Sequence, residues 1–210
     1  MYAQAKGAAA AFIDESYRAP SQALGGNSFY VLTAVLFPRE RLDSIRQQLR
    51  AIVGPGRWHT TEAARSEAGQ ARIVKMSSAL ARLGAVVMAI QDPIPASDKN
   101  AEGARARCFE VLLSELCRTG SLDAQGAVVF ERRRDAAQQK ADNHTINMLR
   151  RGGKIPETLY VTPASPADES LLWAPDVASW AVRRHHTHNE LEFVQPLNDR
   201  RCLHKIQAPS

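Results

Sequence analysis

The sequence predicts an α/β fold in which a mixed sheet of five strands carries helices packed on it. Short apolar segments rich in β-branched residues alternate with longer segments of helical period, and two strands precede the first helix. The chain has 210 residues, of which 44% are hydrophobic, enough for one well-buried domain. We expect that domain at residues 1–188 and a C-terminal tail at 189–210, where no period is evident.

The first strand is the most informative element. Residues 8–13 are apolar throughout and run directly into Asp14, Glu15 and Ser16. A strand covered on both faces gives a continuous apolar run, whereas carboxylates are rarely buried without compensation. Open α/β sheets collect their ligands at the ends of strands. We therefore expect a functional site at the tip of this strand.

Turn residues and helix-ending residues divide the rest of the chain. Gly25-Gly26-Asn27 supplies a turn before the second strand, which predicts an antiparallel pair with the first. Gly54 ends the first helix, and Gly120 ends a later one. The predicted strands are 8–13, 28–37, 85–90, 127–130 and 158–162. The first predicted helix begins near Leu42, and the others cover 62–83, 98–119, 136–149 and 169–186. The predicted order of elements is β-β-α-α-β-α-β-α-β-α.

Composition and cysteine content bear on the compartment. No apolar stretch approaches the length of a membrane span, and no cleavage site follows the N-terminal apolar run, so we expect neither a membrane segment nor a secretory signal. Cys108, Cys117 and Cys202 are odd in number and lack metal-like spacing, which is typical of reduced thiols in the cytoplasm. The oligomeric state stays open, a homo-oligomer included.

Basic residues concentrate in one segment of a chain whose net charge is +5. Residues 131–154 hold seven basic residues against three acids, including the run Arg132-Arg133-Arg134 beside Glu131. Such a run suits contacts with phosphate and permits a nucleic-acid partner, although a solvated helix face gives the same pattern.

Three carboxylates on separate elements form the candidate site. Asp14 ends the first strand, Glu131 ends the fourth, and Asp176 lies among apolar residues of the last helix. If they converge, their oxygens suit Mg²⁺ or Mn²⁺, and two such ions can stabilise the attacking and leaving oxygens of phosphodiester cleavage. Each acid also has a simpler interpretation: a loop hydrogen bond, an arginine partner and a first-turn helix position, respectively.

A histidine in a loop accompanies these acids. His59 follows a Gly/Pro segment, where it could transfer a proton or orient a water molecule. In the alternative interpretation, Thr60 or Thr61 caps the next helix and His59 is merely exposed.

Four segments at the two ends of the chain form a recognisable pattern: Phe12-Ile13-Asp14-Glu15-Ser16, Phe29-Tyr30-Val31-Leu32, Tyr160-Val161-Thr162 and Leu171-Leu172-Trp173-Ala174-Pro175-Asp176. They resemble the opening strands and the closing strand, loop and helix of the family known as domain of unknown function 3800, and together with the element order the match spans nearly the whole chain. The family often has Gln shortly before the helix Asp, where this chain has Trp173.

The resemblance implies a ribonuclease H-like fold, whose relatives use acids on the first strand, the fourth strand and the last helix to hold Mg²⁺ or Mn²⁺. By position it implies that Asp14, Glu131 and Asp176 are the metal ligands, with Asp135 as a rival to Glu131. In a nuclease of this kind, Glu15 would be an auxiliary metal ligand or a group behind the ligands, and Ser16 would orient the phosphate or a carboxylate. The run Arg132-Arg133-Arg134 would contact the nucleic-acid backbone.

Three functions are compatible with this pattern. The first is a metal-dependent nuclease or a related phosphoryl-transfer enzyme. The second is a catalytically silent ribonuclease H-like module that binds nucleic acid within a larger assembly. The third is a hydrolase for a small molecule that contains phosphate.

Overall fold

The protein folds into a six-stranded mixed sheet with helices on both faces, and the computed structural model describes residues 9–23 and 27–209. The strands are β1 (Ala9–Arg18), β2 (Phe29–Pro38), β3 (Ala85–Gln91), β4 (Ala127–Glu131), β5 (Tyr160–Ala164) and β6 (Leu203–Gln207). The helices are α1 (Leu42–Val53), α2 (Thr60–Ala63), α3 (Glu67–Leu83), α4 (Glu102–Arg118), α5 (Ala136–Arg151), α6 (Trp173–His188) and α7 (Gln195–Asp199).

The sheet has the order β5-β4-β1-β2-β3-β6. Strand β2 is antiparallel to both β1 and β3, whereas the pairs β1–β4, β4–β5 and β3–β6 are parallel. All strands except β2 therefore present their carboxyl ends at one edge of the sheet. Residues near the carboxyl ends of the neighbouring strands β1, β4 and β5 therefore lie close together at that edge.

The two faces of the sheet bury two separate cores. One core packs residues of α1, α3, α6 and α7 against the sheet, and the other packs α4 and α5 against the opposite face. Residues of β1 alternate between them: Phe12 belongs to the first core, and Ala11 and Ile13 belong to the second. Since side chains alternate along a strand, Asp14 points to the face of α6 and Glu15 to the face of α4.

The α/β class and the mixed sheet with packed helices are confirmed, but the predicted number of five strands is wrong. The sixth strand, β6, comes from the segment 189–210, in which the sequence showed no period. It pairs with β3 at the edge of the sheet, and each of its residues is half-buried or exposed. An edge strand of that kind carries no continuous apolar run, so its pattern is weak.

The predicted helix at 62–83 is two helices, α2 and α3. Ser66 lies between the two helices and caps the N-terminus of α3, since its hydroxyl accepts a hydrogen bond from the Gly69 amide at 3.1 Å. A Cβ atom at Gly69 would lie 1.9 Å from the Ala63 carbonyl oxygen, so the close approach of the two helices requires glycine there. Ala8, Gly25 and Gly26, which the sequence placed in a strand and a turn, lie outside the described residues.

Across residues 9–23 and 27–209, no helix combines the length and the apolar character needed to cross a membrane.

Candidate active site

The pairing of β1 with β4 brings the first two candidate acids together. The parallel register aligns Ile13 with Phe130. Asp14 and Glu131 are the next residues on each strand, and both lie on the α6 face of the sheet. Their carboxyl groups lie close enough to interact, since a hydrogen bond with Asp14 lowers the pKa of Glu131.

Helix α6 supplies the third acid. It packs across β1 and β2 and carries Asp176 in its first turn. One oxygen of that carboxylate, Oδ2, accepts hydrogen bonds from the Thr60 amide at 3.0 Å and the Thr60 hydroxyl at 2.8 Å. The Trp58 indole donates in turn to the Thr60 hydroxyl at 3.0 Å. The first residue of α2 therefore fixes the side chain of Asp176.

A cleft of about 410 Å³ joins these side chains, and we call it the acidic cleft. Its lining comes from the carboxyl ends of β1 and β4, the loop and helix at 58–61, Pro166 and one side of α6. The lining residues are Asp14, Glu15, Ser16, Tyr17, Trp58, His59, Thr61, Glu131, Arg134, Pro166, Asp176, Ser179, Trp180 and Arg183.

The three carboxyl groups hold one another in an unfavourable electrostatic environment. Burial raises the pKa of Asp14 well above its usual value, and the charges of Glu15, Asp176 and Glu131 raise it further. Burial likewise raises the pKa of Glu131, against the lowering effect of its hydrogen bond with Asp14. Burial raises the pKa of Asp176 even though the Thr60 hydrogen bonds lower it. Negative charge at this place is therefore costly in the protein alone.

Among the described residues, no lysine or arginine forms an ion pair with Asp14, Glu131 or Asp176, whereas the neighbouring Glu15 pairs with arginine. The charge of His59 lowers the pKa of both Glu131 and Asp176. Perturbed carboxyl groups in a cleft without a structural partner are typical of functional sites.

The donor chemistry fits a hard divalent cation, since every candidate ligand is a carboxylate oxygen. In the present conformation, however, no group of three or more His, Cys, Asp or Glu side chains among the described residues is arranged to hold a metal ion. Asp14 and Glu131 face each other directly, and Thr60 holds one oxygen of Asp176. Mg²⁺ often binds through only one or two carboxylates together with water and substrate phosphate.

Glu15 belongs to a second set of groups on the opposite face of the sheet, which we call the Arg105 network (Glu15, Tyr30, Arg105 and Asp142). The Arg105 side chain is 2% exposed. Its guanidinium contacts Asp142 at 2.7 and 2.8 Å, Glu15 at 2.8 Å and the Tyr30 hydroxyl at 2.9 Å. Glu15 thus reaches the rim of the acidic cleft while its charge is neutralised from behind.

The structure separates the three consecutive arginines predicted to bind substrate. Arg134 lines the acidic cleft together with Ser16. Arg133 instead pairs with Glu102 at 2.6 Å and approaches Glu15 at 4.0 Å. Arg132 is exposed and does not line the cleft. The three arginines follow β4 in an irregular segment, whose side-chain directions the run of equal charges does not reveal.

Asp135, the rival of Glu131, lies away from the cleft lining. Its carboxylate caps α5 by accepting a hydrogen bond from the Gln138 amide at 2.9 Å. Trp173, where the resemblance leads us to expect a glutamine, is buried and donates its indole N–H to the Pro166 carbonyl at 3.0 Å. It thereby fixes the loop that forms one wall of the cleft.

Several lining residues were not predicted from the sequence. Ser179, Trp180 and Arg183 follow Asp176 at intervals of three, four and seven residues, so all four lie on one side of α6. The helical period counted from Asp176 would have identified them. Trp58 and Tyr17 had no comparable signal, since a loop and a strand end lack a fixed period.

Comparison of the chain with protein-family models and with curated proteins finds no significant match.

Proposed function

We propose that this protein is a divalent-metal-dependent nuclease, or a related phosphoryl-transfer enzyme, with a ribonuclease H-like fold similar to that of the domain of unknown function 3800 family. One observation carries the proposal. Carboxylates from β1, β4 and α6 line a single cleft without basic partners of their own among the described residues. The positions of these acids, on the first strand, the fourth strand and the long helix after the fifth, agree with the resemblance.

The cation would provide the charge that these acids lack. Asp14 and Glu131 would hold Mg²⁺ or Mn²⁺, with Asp176 completing the site. When bound, the ion would polarise the phosphate and promote ionisation of a water molecule. Because burial raises the pKa of both Asp14 and Glu131, a bound cation would favour the ionised form of these carboxyl groups, which is the form that ligates metal.

Other groups of this chain would prepare the substrate. Thr60 holds Asp176 in one orientation, which limits the reorganisation needed on binding. His59 lies where it lowers the pKa of two of the acids, and it lines the same cleft, so it is placed to exchange a proton with water or a leaving oxygen. Ser16 and Arg134 offer a hydroxyl and a guanidinium to phosphate oxygens.

A catalytically silent nucleic-acid-binding module is the second candidate, and the absence of an arrangement of three ligands among the described residues favours it. In that case the raised pKa of Asp14 would leave the cleft partly protonated and without a metal. A small-molecule phosphate hydrolase is the third candidate, because a cleft of about 410 Å³ falls within the size range of small-ligand pockets.

The decisive experiment compares cleavage by the wild-type chain and by Asp14→Asn. Labelled single-stranded and duplex DNA and RNA are incubated with Mg²⁺, Mn²⁺ or EDTA. We expect cleavage only with metal and a fall of more than about 100-fold in Asp14→Asn, because the variant loses a ligand and keeps its shape. Circular dichroism checks that the variant is folded.

Asp135→Asn is the matched control. Asparagine also caps helices well, so this variant keeps α5 intact while removing one carboxylate outside the cleft. It should retain wild-type activity. Full activity of Asp14→Asn would contradict the nuclease proposal. Salt-sensitive binding without turnover would favour the silent module, and no binding at low salt would favour the small-molecule hydrolase.

A further inference from the structure

The cleft side of α6 carries an acid at one end and an arginine at the other. Asp176, Ser179, Trp180 and Arg183 all line the acidic cleft. Seven residues of helix correspond to about 10 Å along the axis. The backbone of Arg183 therefore lies about 10 Å along α6 from that of Asp176. A ligand that contacts both residues has to extend along the helix.

Arg183 is half-buried, and it forms no ion pair with an acid in the part of the chain that the structure describes. Burial lowers the pKa of its guanidinium, and the neighbouring charges of Arg18 and Arg184 lower it further. Arg184 pairs with Glu190, but among the described residues neither Arg183 nor Arg18 forms an ion pair. The other half-buried or buried arginines near this edge, Arg105 and Arg133, are both paired with carboxylates.

We propose that Arg183 binds a phosphate group of a single nucleic-acid strand whose scissile phosphate lies at Asp14, Glu131 and Asp176. The nucleic-acid identity of the ligand rests on the proposed function. A phosphate beside the Arg183 guanidinium would accept paired hydrogen bonds from it and would offset the positive charge of the neighbouring Arg18 and Arg184.

The cleft selects a single strand bound through its backbone. Its volume of about 410 Å³ is that of a small-ligand pocket and holds part of one strand at most. Its aromatic residues offer little stacking surface: Trp58 and Trp180 are 6% and 7% exposed, and Tyr17 already stacks on Tyr30. Base stacking requires an accessible ring face, so recognition depends on phosphates and has little sequence preference.

The test measures binding without catalysis. A short labelled single-stranded oligonucleotide is titrated with the full chain in EDTA over a range of salt concentrations. We expect Arg183→Gln to weaken binding about tenfold, because a charge-assisted contact is lost. It should also reduce the salt dependence, the slope of log K against log salt, by about 0.7 for one phosphate contact. Arg183→Lys should restore the slope but only part of the affinity, since lysine keeps the charge and loses the fork.

Arg151→Gln is the matched control for net charge. Arg151 is exposed in the last turn of α5, which starts at the cleft edge of the sheet and runs to the opposite edge. It should leave the slope unchanged. A second probe with uncharged methylphosphonate linkages should bind weakly and should not respond to Arg183→Gln, because it offers no phosphate charge.

An unchanged slope in Arg183→Gln, or no binding of the oligonucleotide by the wild-type chain, would overturn this inference. The nuclease proposal is tested separately by metal-dependent cleavage and Asp14→Asn. Binding through Arg183 without any cleavage would support the phosphate site and contradict the nuclease proposal. Cleavage with an unchanged KM in Arg183→Gln would support the nuclease proposal and contradict the phosphate site.

Discussion

Asp14 and Glu15 are consecutive residues in the second half of β1, yet their surroundings differ completely. Asp14 faces α6, where Glu131 and Asp176 add further negative charge and burial raises its pKa. Glu15 faces α4, where Arg105 meets it at 2.8 Å and Asp142 occupies the rest of the guanidinium. The same edge of one sheet therefore carries an uncompensated acidic cleft and, behind it, a compensated ion network.

The difference separates structural charge from functional charge. Burial of a charged group costs several kcal/mol, and a paired network offsets this cost within the protein. The acidic cleft leaves the cost unmet, so the folded chain gains from anything that supplies positive charge there, whether a proton or a cation. This contrast predicts opposite responses of the two regions to the same kind of substitution.

The largest effect should come from the centre of the network. Arg105→Met removes the partner of buried Asp142 and of Glu15, and should lower the free energy of unfolding by about 3–5 kcal/mol in urea denaturation, because two carboxylates lose their counter-charge. Arg118→Met on the same helix is the control. Arg118 pairs with Glu115 while its side chain is 71% exposed, so the loss should stay below about 1 kcal/mol. Equal losses would remove the distinction between a buried network and a surface pair.

An intermediate effect with opposite signs should come from the two neighbours on β1. Glu15→Gln should lower the free energy of unfolding by about 1.5–3 kcal/mol, since Arg105 loses a charged acceptor. Asp14→Asn should raise it without metal, by about 1.4 kcal/mol for each unit by which the pKa of Asp14 is raised. Chemical denaturation in EDTA measures both. Destabilisation by both variants would show that the acidic cleft is as well compensated as the network.

The stabilisation in Asp14→Asn should depend on pH. The folded-state pKa of Asp14 lies above its ordinary value of 3.8, so the folded chain binds this proton more tightly than the unfolded chain. The stability from this carboxyl is fully present below pH 3.8 and is lost as the pH rises through the folded-state pKa. The advantage of the variant should therefore be greatest at neutral pH and vanish below pH 3.8.

The smallest effect should come from the group that orients Asp176. Thr60→Val removes the hydroxyl that donates to Asp176 and accepts from the Trp58 indole, and should cost about 1 kcal/mol in urea denaturation. It should also raise the pKa of Asp176, followed by carbon NMR of the carboxyl, since that hydrogen bond lowers it. Thr61→Val, at an exposed position, should change stability by less than about 0.5 kcal/mol. Equal responses in the two variants would contradict a specific role for Thr60.

Predictions from the sequence succeeded where a segment has a strong period. The strand at β2 and its antiparallel pairing with β1 were predicted close to their observed positions, although β1 extends to Arg18, beyond its predicted end at Ile13, and so contains the acids. They failed where tertiary contact compensates for a weak pattern. Strand β6 alternates half-buried and exposed residues and is recognisable only as the partner of β3. Arg105 lies on the buried side of α4, where a helical period alone predicts an apolar residue.

The sequence by itself determined that acids directly follow buried apolar runs, because a continuous apolar run is a local property of the chain. The sequence also determined the spacing of these acids along each strand and helix. Only the tertiary structure decided which acids meet: the parallel pairing of β1 with β4 placed Asp14 beside Glu131, and α6 brought in Asp176. It likewise decided that Glu15 turns away to Arg105. Charge compensation depends on distances between elements far apart in the chain, and no local pattern contains those distances.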